Sequence, residues 1–193
     1  MVISSSHSYS KNSSQVVSIN SANKVSLKRF TQNGQIQIYQ SSYRGSYSSI
    51  IRDSLRNAAL GRKVLLVQFM KGGVKQGIAN PVKLCGNLTW VRSSHSFDQY
   101  DSEEIENNQN IKQSINESTC ELWDFCKKEL LSGDNDQIIL DEIFLAIEMK
   151  IIDKHDLIST LEKRFISGDV ILTGTDITKD LLLMANQITQ LRS

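Results

Sequence analysis

Residues 63–72 read Lys63-Val64-Leu65-Leu66-Val67-Gln68-Phe69-Met70-Lys71-Gly72. A short, nearly unbroken apolar run ending in a polar and glycine-containing loop is the signature of a strand covered on both faces. Strands of that kind belong to parallel sheets with helices above and below. The pattern recurs at Gln137-Ile138-Ile139-Leu140-Asp141 and at Asp169-Val170-Ile171-Leu172-Thr173, which ends at Gly174. Before residue 63, Ile50, Ile51, Leu55, Ala58 and Ala59 fall at helical spacing within 47–60, and Gly61 stops that helix. Earlier still, Gln35-Ile36-Gln37-Ile38-Tyr39 alternates as a strand does, after a turn at Asn33-Gly34. On the other side, Leu88-Thr89-Trp90-Val91 is a weaker strand. A helix from about Ile115 to Leu131 follows, with Leu122, Phe125, Cys126 and Leu130 on one side. Residues 153–166 make a helix on Leu157, Ile158, Leu161 and Phe165; residues 177–186 a last helix; and Gln187–Leu191 a last strand. Alternating strands and helices require right-handed crossovers between parallel strands. The expected fold class is therefore α/β, with a doubly wound, mostly parallel sheet.

The chain has 193 residues, enough for one domain. Ten of the first 26 residues are serine, a composition too poor in apolar surface to offset ordering entropy. Residues 1–33 are read as a mobile tail, with Val16-Val17-Ser18-Ile19 as a short strand or docking segment within it, and residues 34–193 as a single domain. Lysine plus arginine number 22 against 21 acidic residues, a net charge of +1. So balanced a chain offers no long-range field for phosphate backbones or anionic lipid, which argues against nucleic acid as a partner. The apolar runs are strand-sized, far short of the ~20 residues of a membrane helix, and the start of the chain does not read as a secretory signal. Cys85, Cys120 and Cys126 form neither a CxxC nor an even set, which suggests reduced thiols and a cytoplasmic setting. His7, His95 and His155 read as surface or loop residues. Asp101, Glu103, Glu104 and Glu106 are read as a solvated helix start or loop rather than a metal site.

Ligands of such sheets bind beyond the carboxyl ends of the strands, here 40–47, 68–73, 141–142 and 173–176. Asp141-Glu142 directly follows a buried strand. Carboxylates there either hold Mg²⁺ in a nucleotide-binding fold or cap the next helix. Lys71 projects from a loop whose glycines permit close approach to phosphate, though Gly-Gly after a strand is also an ordinary turn. The turn after Tyr39 has the position of a phosphate-binding loop without its usual residues: only Gly45 supplies an unhindered turn, and no lysine follows it.

Taken together, Gln68-Phe69-x-Lys71-Gly72, Leu140-Asp141-Glu142-Ile143 and Leu172-Thr173-Gly174, in that order and spacing, resemble the P-loop type of ATP:corrinoid adenosyltransferase over about residues 35–192. The resemblance implies a P-loop NTPase-like three-layer sandwich. It implies transfer of the 5′-deoxyadenosyl group of ATP to a Co(I) corrinoid with release of triphosphate, use of Mg²⁺, and a homodimer. By position it assigns Asp141 and Glu142 to the metal, and Arg44, Gly45, Ser46, Tyr47, Gln68, Lys71, Thr173 and Gly174 to the nucleotide. Where the family has Gly-Lys-Thr-Thr, Ser46 replaces the lysine and Tyr47 the Mg²⁺-side threonine, while Arg44 aligns with a lysine and Thr175 with an arginine. For the family's Phe-Thr-Trp element, Leu88-Thr89-Trp90 matches in letters and Phe97 in spacing. A lost cation contact to phosphate costs ~1.5–3 kcal/mol, so the expectation is an adenosyltransferase-family protein with a weakened grip on ATP. The alternative is a pseudoenzyme serving as a protein-interaction or regulatory module, and a third reading has the chain hold or carry a corrinoid without catalysis.

Overall fold

The computed structural model describes residues 33–42, 47–72, 75–94 and 109–191. Nearly all of the serine-rich segment, the acidic stretch at 101–106, and Arg44, Gly45, Ser46 and Phe97 lie outside the described residues. In chain order the elements are β1 (Ile36–Ser41), α1 (Ser48–Ala59), β2 (Val64–Gln68), β3 (Val82–Leu84), β4 (Leu88–Arg92), α2 (Gln109–Ser132), β5 (Gln137–Asp141), α3 (Ile143–Glu148), α4 (Lys154–Lys163), β6 (Asp169–Gly174), α5 (Lys179–Met184) and β7 (Gln187–Leu191).

The strands form one seven-stranded sheet in the order β3-β4-β2-β5-β6-β1-β7. Every pairing is parallel except β3 with β4. Side chains alternate across the sheet as the two-residue period of a strand dictates. Val64, Leu66, Ile139 and Ile171 join Ile50 and Ala58 of α1 on one face. Leu65, Val67, Ile138, Leu140, Val170 and Leu172 turn to the other, against residues of α2 to α5 such as Leu122, Leu157 and Leu181. Both faces are thus covered, and every residue of β2 and β5 is buried. This is the doubly wound, three-layer α/β arrangement expected.

Four local departures have physical reasons. Val82–Leu84 is a three-residue strand, too short for a periodic signal, that pairs antiparallel at the edge of the sheet. Ile143–Glu148 forms a six-residue helix directly after β5, a run short and apolar enough to read as strand continuation. The helix expected over 153–166 stops at Lys163, so Phe165 is half exposed rather than part of its buried face. Ala59 is exposed at the end of α1, whereas Trp123 of α2 is buried where the expected stripe had no member.

Candidate active site at the carboxyl end of the sheet

The last rungs of the parallel ladder set Gln68 opposite Asp141 and Gln40 opposite Gly174, with Thr173 beside Tyr39. Register alone therefore gathers the ends of four strands. Asp141 is almost completely buried, and its carboxylate is held by side chains rather than serving as a helix cap. Thr173 donates its hydroxyl to Oδ1 at 2.7 Å. Gln68 Nε2 and Lys71 Nζ both donate to Oδ2, at 2.7 and 3.0 Å. Lys71 also lies 3.6 Å from Oε1 of Glu142. Glu142, at φ 61°, takes the left-handed conformation at the entry to α3, and its backbone N–H donates to Thr173 Oγ1 at 2.8 Å. A non-glycine residue held there carries local strain, which the Thr173 bond offsets. Buried carboxylates require such partners, since an unpaired charge in the interior costs several kcal/mol.

The network extends sideways. Gln68 Oε1 accepts from Trp90 Nε1 at 3.0 Å, and the Arg92 guanidinium sits 4.5 Å from the Trp90 ring centre. One face of that indole is therefore covered by a cation, which leaves at most the other face for a flat macrocycle.

On the opposite side stands Tyr47, the residue just ahead of α1. It is buried, and its hydroxyl donates to the carbonyl of Gly174 at 2.7 Å. Burial, then the nearby carboxylates of Asp141 and Glu142, push its phenol up to about 12. Gly174 has no room for a side chain, because a Cβ would lie 2.5 Å from that of Phe144. Beyond Tyr47, Gln40 Nε2 donates to the carbonyl of Thr175 at 3.0 Å. Gln40, Ser41, Ser42, Thr175, Gln190 and Leu191 line a cavity of about 260 Å³ at the ends of β1 and β7.

Of the residues singled out in the sequence, Gln68, Lys71, Asp141, Glu142 and Thr173 form one bonded cluster, and Tyr47 is bonded to Gly174, which follows Thr173 in the chain. Gln40 lies where the strand-end reading of 40–47 placed a ligand position, whereas sequence reasoning missed Trp90 as the group that orients Gln68. The signal for Trp90 was its place two residues before the end of a strand neighbouring β2.

A divalent ion needs several hard oxygen ligands around one point. Asp141 instead has three donors on its two oxygens, one of them an ammonium that also faces Glu142. The hydroxyl at the threonine position belongs to Tyr47 and is committed to Gly174. Among the described residues no three His, Cys, Asp or Glu side chains gather as a metal-holding group. In this arrangement the donors do not fit Mg²⁺ unless Lys71 withdraws.

Comparison with known proteins gives this geometry a lineage. The family described as ATP:corrinoid adenosyltransferase BtuR/CobO/CobP matches residues 32–193. The corrinoid adenosyltransferase of Escherichia coli (strain K12) is 24% identical over 162 residues, covering 83% of this chain and 78% of that protein. The corrinoid adenosyltransferase CobA of Salmonella typhimurium is 22% identical over 170 residues, with the same coverage. The match spans all seven strands and every residue of the bonded cluster, and on that extent the chain belongs to the ATP:corrinoid adenosyltransferase family.

Proposed function

We propose that this protein moves the 5′-deoxyadenosyl group of ATP to a Co(I) corrinoid, releasing triphosphate, with a weaker hold on ATP than a Gly-Lys-Thr loop provides. The observation that carries this reading is the bonded cluster of Gln68, Lys71, Asp141 and Thr173 at the carboxyl edge of the sheet. Lys71 is its most exposed member: 30% of its side chain is exposed, against 2% for Asp141. Its ammonium can turn outward to the departing triphosphate while Gln68 and Thr173 keep Asp141 satisfied. Arg44 supplies the cation of the β1–α1 turn, where Ser46 cannot. The indole face of Trp90 that Arg92 leaves uncovered takes the corrinoid, and the active species is a homodimer.

A second reading is favoured by Tyr47, whose ring fills the threonine position and whose hydroxyl is bonded to Gly174. In that reading the chain is a pseudoenzyme that uses the fold for protein contact.

Isothermal titration with ATP in the presence of Mg²⁺, beside the Ser46→Lys variant, separates them. The expected result is binding by the natural chain, tightened about tenfold or more by the lysine, with adenosyl transfer once reduced corrinoid is added. No binding by either protein, together with no transfer, establishes the pseudoenzyme.

A further inference from the structure

We infer that Lys71 is a built-in counter-cation that closes the Asp141–Glu142 pair to divalent ions, so that metal engages only when the lysine is drawn away. The inference stands on the geometry of the acidic pair and not on adenosyl transfer, so either can fail without the other.

Three observations converge. The ammonium lies 3.0 Å from Asp141 Oδ2 and 3.6 Å from Glu142 Oε1, between the two carboxylates where a bridging cation would have to sit. Gln68 and Thr173 also donate to Asp141, one to each oxygen, and both donors are fixed in turn: Gln68 by the indole of Trp90, Thr173 by the backbone N–H of Glu142. A metal therefore cannot be accommodated by turning Asp141 toward solvent without breaking those bonds. Finally, Tyr47 offers no compensating ligand, because its hydroxyl is spent on Gly174.

Charge decides which member gives way. Two carboxylates facing one ammonium favour a cation and disfavour an approaching polyanion. A free divalent ion, however, gains this field only by expelling Lys71, and two like-signed cations cannot share so small a space. A nucleotide that arrives with its own cation changes the balance, because its phosphates give the displaced ammonium a new partner. The lysine thus couples metal entry to the arrival of a polyphosphate. In its absence it keeps the acidic pair from holding a metal ion unproductively.

The test uses Mn²⁺ alone, without nucleotide, followed by electron paramagnetic resonance on the full chain. The natural protein should bind Mn²⁺ no better than Lys71→Gln/Asp141→Asn, a double variant that sets the background from the acidic stretch at 101–106. Lys71→Gln alone should bind Mn²⁺ at least about tenfold more tightly, since removing a unit charge at this range is worth that much or more. Lys71→Met should do the same, and Lys71→Arg should stay at background. Thermal melting confirms that each variant is folded. Equal Mn²⁺ affinity in the natural chain and Lys71→Gln overturns the inference, as does a Lys71→Gln protein that remains at background. If neither neutral variant folds, the natural chain decides: affinity above the background set by the double variant overturns the inference, and affinity at background sustains it.

Discussion

The two ends of the sheet are held together in different ways. At the amino end, Arg62 donates to the carbonyl of Asp136 and to the carboxylate of Asp169, Asp136 accepts from the backbone of Lys63, and Arg164 reaches the carbonyl of Gly34. There side chains bond mainly to backbone, and Arg62 is more than a third exposed. At the carboxyl end, Trp90, Gln68, Asp141, Thr173 and Lys71 bond to one another in a mostly buried row. The amino-end contacts clamp chain segments through separate acceptor atoms, and solvent can reach Arg62 when one of its bonds is lost. Carboxyl-end contacts share acceptors, so a single loss leaves several buried groups without partners. This is the difference between a scaffold and a site whose side chains are posed in advance.

The largest effect should come from Asp141→Ala. It strips the partner from Lys71, Gln68 and Thr173 at once, and should cost about 3 kcal/mol, read from the urea midpoint at constant slope. Next is Tyr47→Phe, which keeps the ring and removes the bond to Gly174, for about 1 kcal/mol at neutral pH. Its pH dependence sharpens the contrast. With a folded pKa of about 12 against 10.0 unfolded, the phenol's contribution is fully present below pH 10 and is lost as pH rises toward 12. Absorbance titration at tyrosinate wavelengths should show one tyrosine ionising after the rest, and Tyr47→Phe should abolish that late step. The smallest effect belongs to the amino end. Arg62→Ala should cost less than about 1 kcal/mol, and added salt should shrink it further. If Arg62→Ala proves as damaging as Asp141→Ala, the contrast between the ends collapses.

Much of this organisation was legible in the chain itself, and the gaps have physical causes. The wholly buried strands β2 and β5 announce themselves because burial on both faces leaves no polar positions between their ends, and the Gln137–Asp141 bounds came out as read. The edge strands are harder. Val82–Leu84 is short and exposed, so its identity rests on pairing with β4 rather than on its own residues. At the site, Gln68, Lys71, Asp141, Glu142 and Thr173 could each be marked from a strand end, because a strand end is a one-dimensional feature. Which of them touch depends on strand order, and strand order is not written in any single segment. Tyr47 illustrates the limit: its letter reveals a missing threonine, while its bond to Gly174 spans 127 positions of sequence. Phe165 shows the reverse failure, an apolar residue at helical spacing that falls just beyond the helix end.

Strand order also has a consequence for biosynthesis. β1 is bordered only by β6 and β7, with Ile38 set beside Leu172 on one side and Ile188 on the other. A ribosome delivers β1 first and its neighbours last, so Ile36 and Ile38 have no sheet to join until more than a hundred further residues have been made. Pairings this remote close slowly, and unfilled strand edges invite association with other chains. Nascent chains halted before residue 169 should accordingly be ready clients for chaperones, and the sheet should assemble β2 with β4 and β5 before β1 takes its place.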